Sequence, residues 1–386
     1  MNKIAVIMNT NELGGAERSM VFQLVNQHDN QFTFFLPHIT ESKALEKFLK
    51  SSGFNDISYY NYPRSLYSIS RSSLVPGFGV FKDIYSLFFR AGEFASLNQF
   101  DMVYLNGNKA AFLFFAKNKL LHYKGKVVWH LRDYYHSSKL TNTLWKLLSN
   151  LKRENLSFIC NSDSVKGSLA VSPWKNYPVQ VIYNPVGEQL PVRDTARNIK
   201  TIGFVSMMAP WKGVHEIVLW CKLFEAELES LGITSVKIYG GDIYKTVGSH
   251  NSYSEQIKRL NTKFNSKLLS FQGHKEPKEI FQEIDCLIHY SLSPEPFGRV
   301  ILEAFDAGIP VISTCLGGAG ELVQSQVTGI KVFAHDRHGL FLAVEQLVEN
   351  KVRTFKLISS GIEKSRLIQK NISMNMKRVL EIGEAS

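Results

Sequence analysis

Short β-rich runs and longer amphipathic stretches alternate along this chain, stop at an aperiodic break, and then start again. A parallel sheet demands such alternation, because each parallel neighbour is reached only through a crossover that packs on the sheet face. Before the break the spacing predicts strands at Lys3–Met8, Phe32–Leu36, Met102–Leu105, Lys126–Leu131, Phe158–Cys160 and Val179–Ile182. Helices are expected between them, for example at Ala16–Asn26 and Leu140–Leu151. The break, "NYPVQVIYNPVGEQLPVRDTARN", collects Pro, Gly and charge and places a boundary around 184–198. The pattern resumes with "KTIGFVSMM", "SVKIYGG", "LLSFQG", "DCLIHYS" and "PVISTC", each followed by a helix-like stretch. The expected class is α/β: two Rossmann-like units with a cleft, and ligands at strand carboxyl ends. A length of 386 residues suits two cores better than one.

No uninterrupted apolar run approaches the roughly 18 residues a bilayer requires. The longest suggestive one, Ala110–Ala116 (AAFLFFA), reads as a buried or interfacial helix face. The opening IAVIM is too short for a signal-peptide core and fits a buried first strand. Cys160, Cys221, Cys286 and Cys315 form no Cys-x-x-Cys pair, and the expectation is reduced thiols in a cytoplasmic protein. The net charge of +11 is uneven. Between Asn108 and Ile159 ten Lys or Arg face only Asp133 and Glu154, a net +8, interleaved with Phe112, Phe114, Phe115, Tyr123 and Trp145. Such a segment suits either a solvated basic face or peripheral docking on an anionic membrane; no nucleic-acid motif accompanies it, and nucleic acid is not an expected partner. The segment Tyr59–Phe100, rich in Tyr, Phe, Ser and Arg, is the least legible: with a helix at Val80–Ala95, it reads as a decorated helix of the core or as an apolar docking surface for an acceptor.

The chemistry centres on "SPEPFGRVILEA", residues 293–304. A strand, a loop and a helix opening at Gly298 are expected here, with Glu295 before the turn and Glu303 in the helix. A helix start offers unpaired N–H groups and a positive dipole end, which favour phosphate. Helical side chains tilt toward the N-terminus, so Glu303 can lean back toward a ribose there while Glu295 faces a sugar beyond the phosphates. The geometry suits a sugar nucleotide.

"EPFGRVILEAFDAGIPVISTCLGGAGELVQSQVTGIKV" resembles the glutamate-x7-glutamate signature of family 4 retaining glycosyltransferases, with that family's Gly-Gly, Glu and Thr-Gly elements following. Upstream, "FQGHKEPKEIFQEIDCLIHYS", "YNPV" and "LGGAERSM" are similar to the family's Gly-loop and strand, interdomain linker and N-terminal glycine loop. The likeness runs in order over most of the chain except about 40–125. It implies the GT-B fold, two Rossmann-like α/β/α domains with a deep interdomain cleft. The expected division is an acceptor-binding domain at 1–185, a linker at 186–198 and a nucleotide-sugar-binding domain at 199–366, with a C-terminal helix, 367–386, packing back on the first.

Carried over residue by residue, the resemblance implies that Glu303 holds the donor ribose and Glu295 the transferred sugar, with Phe297 and Gly298 offering backbone groups. Arg299, Val300 and Ile301 would form the helix start that meets the diphosphate, and Lys212 in "APWKG" would neutralise it. Gly14 and Gly15 would approach the phosphates from the other domain, and His130 would lie near the reacting carbon. Read by themselves, His130 is a strand-end histidine, Lys212 a solvated turn lysine and Gly14-Gly15 a turn. One departure stands out: where the family often carries an arginine five residues before the lysine, this chain has Met207. The function implied is a retaining, metal-independent transferase moving a hexose from a nucleoside diphosphate sugar, a UDP-sugar first, to a hydroxyl of a growing lipid-linked surface glycan. No cofactor is expected beyond the donor. The rival expectations are a nucleotide-sugar 2-epimerase on the same fold and a non-catalytic subunit that binds sugar nucleotide or glycan.

Overall fold

The computed structural model describes residues 1–38, 43–61, 92–135, 154–193, 197–241 and 253–381. The expected helix Leu140–Leu151, most of the expected helix Val80–Ala95 and most of 59–100 lie outside the described residues. The chain forms two compact units, Met1–Gly187 with Asn371–Ser386, and Glu188–Lys370.

The first unit is built on a parallel sheet of β1 (Asn2–Ile7), β2 (Asn30–Pro37), β3 (Ile57–Tyr60), β4 (Met102–Asn106), β5 (Lys126–Leu131), β6 (Leu156–Cys160) and β7 (Val179–Val181). Their spatial order is β3-β2-β1-β4-β5-β6-β7. The second unit has β8 (Thr201–Val205), β9 (Ser235–Tyr239), β10 (Leu269–Gly273), β11 (Cys286–His289), β12 (Val311–Ser313) and β13 (Ile330–Lys331). Here the order is β10-β9-β8-β11-β12-β13, again all parallel. In both sheets the strand order reverses beside the first strand, between β1 and β4 and between β8 and β11. Such a switch point opens a crevice at the strand carboxyl ends, because successive crossovers leave on opposite faces there.

Central strands buried on both faces read as continuous apolar runs, as in Ile4-Ala5-Val6-Ile7 of β1, which expose nothing. Trp129 of β5 anchors the first core with Phe115, Phe158 and Trp174 at ring separations of 5.2–5.8 Å. The run AAFLFFA lies in a helix, Asn108–Leu121, and all of it but Phe112 is buried in that unit. Among the described residues no helix is long and apolar enough to cross a membrane.

The helix Lys351–Leu380 contributes its residues to 370 to the second unit and the rest to the first. Its C-terminal end is held there by Lys126, whose Nζ donates to the carbonyls of Val379 and Glu381, both at 2.7 Å. A lysine satisfying the last carbonyls of a helix supplies both hydrogen bonds and charge of the favourable sign. Gln27 adds a hydrogen bond to Ser373 O at 3.0 Å. In the second unit Asp285 accepts from the amides of Lys200 and Thr201 at 3.0 and 2.9 Å and pairs with Arg193 and Arg197, fixing the entry to β8.

Gly240 follows β9 with φ +126°, and a Cβ there would stand 1.8 Å from the carbonyl oxygen of Ser206. The loop carrying Met207 and Lys212 starts from that carbonyl. Gly240→Ala is therefore expected to destabilise the second unit by about 3 kcal/mol, through strain at a positive φ plus overpacking. Urea denaturation checks it, and an unmoved midpoint would contradict the close approach.

Candidate functional site

In the second unit the loop after β11 delivers the helix Arg299–Asp306. Ile301, Leu302, Ala304 and Phe305 bury its apolar face, which fixes the direction in which its first turn opens. Gly298 at the N-cap takes φ +92°, the left-handed conformation that glycine adopts without penalty, and no side chain caps the helix. Glu303 is 4% exposed, and its Oε1 stands 2.9 Å from Nε of Arg299, four residues earlier. Val300 is half-buried, whereas Ile301 and Phe297 are buried, so only their backbone groups can serve a ligand.

Glu295 lies before this turn, sutured to the loop after β12. Its amide donates to Leu316 O at 3.1 Å, and its carbonyl accepts from the Gly318 amide at 2.7 Å. A Cβ on Gly318 would lie 2.3 Å from Pro296 O, so the Gly-Gly pair makes this close approach possible. The carboxylate of Glu295 is the hub of a polar cluster. Lys212 Nζ stands 2.5 Å from Oε1, while His289 Nε2 at 2.6 Å and Ser291 Oγ at 2.9 Å meet Oε2. A carboxylate can only accept, so Nε2 of His289 carries a proton. His289 Nδ1 in turn meets Ser313 Oγ at 3.1 Å. Burial alone would raise the Glu295 carboxyl, but Lys212 and His289 outweigh it and hold it well below the usual carboxylate range.

Lys212 reaches this hub through a tight turn. Pro210–Lys212 form one 3-10 turn, and Gly213 follows at φ +72°. A Cβ on Gly213 would meet Tyr290 O at 2.5 Å, and Leu292 N donates to Trp211 O at 2.7 Å. The turn is thus pressed onto the backbone that leaves β11, and Lys212 Nζ sits 4.4 Å from the Trp211 ring centre. Lys212 is 9% exposed and paired, unlike a solvated turn lysine. Met207 sits half-buried in the same loop.

In the first unit Gly14 caps the helix Gly15–Leu24, its amide donating to Glu17 Oε2 at 3.1 Å. A Cβ on Gly14 would fall 2.7 Å from that oxygen, so glycine lets the carboxylate close over the helix start. Burial raises the Glu17 carboxyl against the pull of its backbone donors and of Arg132. His130, in β5, has no exposed surface; its Nδ1 bonds the Tyr104 hydroxyl, and its buried Nε2 has no hydrogen-bond partner among the described residues. Burial, helped by Arg132, holds its pKa well below that of a free imidazole.

Between the depressed folded pKa and about 6.5 the unfolded chain binds the extra proton, so stability falls as pH drops below about 6.5. The slope from this one group approaches about 1.4 kcal/mol per pH unit. Chemical denaturation at pH 7.5, 6.5 and 5.5 is expected to show that loss in the wild type and less of it in His130→Gln. Parallel slopes would contradict it.

The structure thus gathers Lys212, Glu295, Phe297, Gly298, Arg299, Val300, Ile301 and Glu303 around the loops after β8 and β11. Gly14, Gly15 and His130 lie separately along the carboxyl edge of the first sheet. Sequence reasoning missed His289, Ser291 and Ser313, and it counted Arg132 only among surface charges. An open concavity of about 900 Å³ lies at the amino ends of β4 to β7, lined by Asp101, Lys126 and Glu154 among others, and contains none of the candidate residues.

Residues 190–366 match the family described as Glycosyl transferases group 1. An uncharacterized 42.6 kDa protein in the cps region of Klebsiella pneumoniae is 27% identical over 217 residues, 52% of this chain and 53% of that protein. The lipopolysaccharide core biosynthesis glycosyltransferase LpsE of Rhizobium meliloti is 25% identical, over 53% of this chain and 57% of its own. The chain thus spans about half the length of these curated relatives. Among solved structures, Anabaena HepE in complex with UDP and glucose superimposes with a TM-score of 0.75 at 20% identity, covering 98% of this chain and 99% of that one. The fold, two parallel-sheet α/β domains, is that of GT-B structures.

Proposed function

From a chain whose residues 190–366 match the family described as Glycosyl transferases group 1, we propose a retaining, metal-independent glycosyltransferase. In this reading it moves a hexose from a UDP-sugar to a hydroxyl of a growing, lipid-linked surface glycan, working in the cytoplasm or peripherally on the membrane's inner face. The observation that carries it is the pair of acids flanking the glycine-opened helix start, Glu295 with Lys212 and Glu303 with Arg299. The UDP and glucose in HepE, and the lipopolysaccharide role in the name of LpsE, support the substrate classes.

The residues divide the task as follows. A diphosphate arriving at Gly298 meets the helix start, and it draws Lys212 and Arg299 out of their pairs with the two acids. Exchange of one anionic partner for another keeps both cations compensated, so the step avoids the full cost of exposing a buried charge. Glu303 then accepts from ribose hydroxyls and Glu295 from the sugar. The same two cations face the charge that develops on the leaving diphosphate, the interaction that lowers the barrier. Arg299 takes the part that an arginine in place of Met207 would have had.

The test incubates the purified chain with UDP-hexoses and a lipid-linked acceptor and reads the product's anomeric configuration by NMR. Retention is expected, and inversion overturns the mechanism. Conversion of the donor to its C2 epimer without acceptor would put an epimerase in its place. For the membrane, co-sedimentation is expected with anionic vesicles and not with neutral ones, and equal recovery on both removes that part.

A further inference from the structure

The carboxyl edge of the first sheet carries a cation whose hydrogen-bond partners are all neutral. Arg132 directly follows β5 and is half-buried. Its Nε donates to Asn106 Oδ1 at 2.9 Å, Nη1 to Asn184 Oδ1 at 2.9 Å and Nη2 to Gln23 Oε1 at 3.0 Å. The Tyr104 hydroxyl is its other close neighbour. All four partners are neutral, and Gln23, Asn106 and Asn184 are at least nine-tenths buried. Among the described residues no carboxylate lies within ion-pair distance of the guanidinium; the Glu17 carboxyl, which burial raises, attracts it from farther away. Asn161, also buried, holds the Arg132 carbonyl through Nδ2 at 3.3 Å, so the backbone is fixed as well as the side chain.

A brace between strand ends would be stronger with a carboxylate, which would add an ion pair and bidentate geometry to the charge-assisted hydrogen bonds the guanidinium already donates. Here three amides orient the fork and leave its charge intact. That is a costly arrangement for a half-buried cation unless an anion completes it. The position is the carboxyl edge of a parallel sheet, where ligands of such folds sit. The buried, unpartnered Nε2 of His130, two residues earlier, adds a second polar atom awaiting a partner at this edge.

We propose that Arg132 is an oxyanion-binding site, prepared by Gln23, Asn106 and Asn184, that takes a phosphate group of the molecule receiving the sugar. The acceptor part of this statement rests on the transferase reading; the anion site itself does not.

The experiment titrates inorganic phosphate into the full chain, pre-saturated with UDP and held at constant ionic strength, by isothermal calorimetry. UDP binding is measured first and tests the donor reading alone. The wild type is expected to bind phosphate, and Arg132→Gln to weaken it by about tenfold or more. Asn184→Asp is the sharper variant, because it keeps the side chain's volume while giving the guanidinium its own carboxylate. It is expected to fold with a Tm no lower than wild type and to lose phosphate binding to the same extent. Wild-type protein that takes no phosphate overturns the proposal. So does an Asn184→Asp protein that binds phosphate like the wild type, even if Arg132→Gln does not, because Arg132 would then be a brace alone.

Discussion

Glu295→Gln is expected to lower kcat by about a hundredfold to a thousandfold while leaving UDP affinity equal to or tighter than wild type. The carboxylate accepts from Lys212, His289 and Ser291 together. An amide of the same shape turns one of those oxygens into a donor, which then faces a lysine ammonium or an imidazole N–H. The sugar loses the acceptor that orients it, and positioned polar groups of this kind are worth about 2.7–4 kcal/mol in the transition state. Lys212, relieved of its anionic partner, is the more available to a diphosphate, hence the opposite sign for UDP. Steady-state rates with calorimetry on the same preparation check both halves. Unchanged turnover would remove Glu295 from the reaction.

Glu303→Ala should do the reverse to binding. A buried carboxylate that accepts from ribose hydroxyls contributes about 1.5–3 kcal/mol through hydrogen bonds to a charged group. Its removal should weaken UDP by about tenfold to a hundredfold. The partner left behind, Arg299, is 27% exposed and can rehydrate, so the folded state should tolerate the change. Glu303→Gln separates the causes: it keeps the volume, and it should restore little of the affinity if charge is what the hydroxyls require. Equal UDP affinity in all three proteins would show that the nucleotide is held elsewhere.

The parallel α/β character was legible because buried central strands announce themselves as apolar runs, and Lys126–Leu131 was placed to the residue. The edge strands β3 and β13 were not foreseen. Ile57-Ser58-Tyr59-Tyr60 mixes polar with aromatic residues, and Ile330-Lys331 is two residues long, so neither carries the signal of burial on both faces. From Gly92 to Gln99 the chain is a 3-10 helix, too short and too mixed for a clear period. The acids around the Pro-Phe-Gly turn were readable from local spacing, since a helix start fixes its own neighbours. The pairing of Lys212 with Glu295 spans 83 residues, and no local pattern encodes it. His289 was hidden as the last residue of a strand. Arg132 and Lys126 were counted in a basic surface segment, yet one is held by three amides and the other caps the C-terminal helix. Asn and Gln have no periodic signature, so the amide cradle of Arg132 could be seen only once the strand ends were together.

The helix Lys351–Leu380 has a consequence for how the chain is made. Ile372, Met376, Val379 and Leu380 are each less than 10% exposed, and the part of the helix that bears them counts with the first unit. That unit is translated first, but a growing polypeptide has to emerge almost to its last described residues before the closing segment exists. The second unit, contiguous from Glu188 to Lys370, has no such wait. Birth order and completion order are therefore inverted, and an amino-terminal half released early from the ribosome would bare an apolar furrow that invites chaperones or clumping.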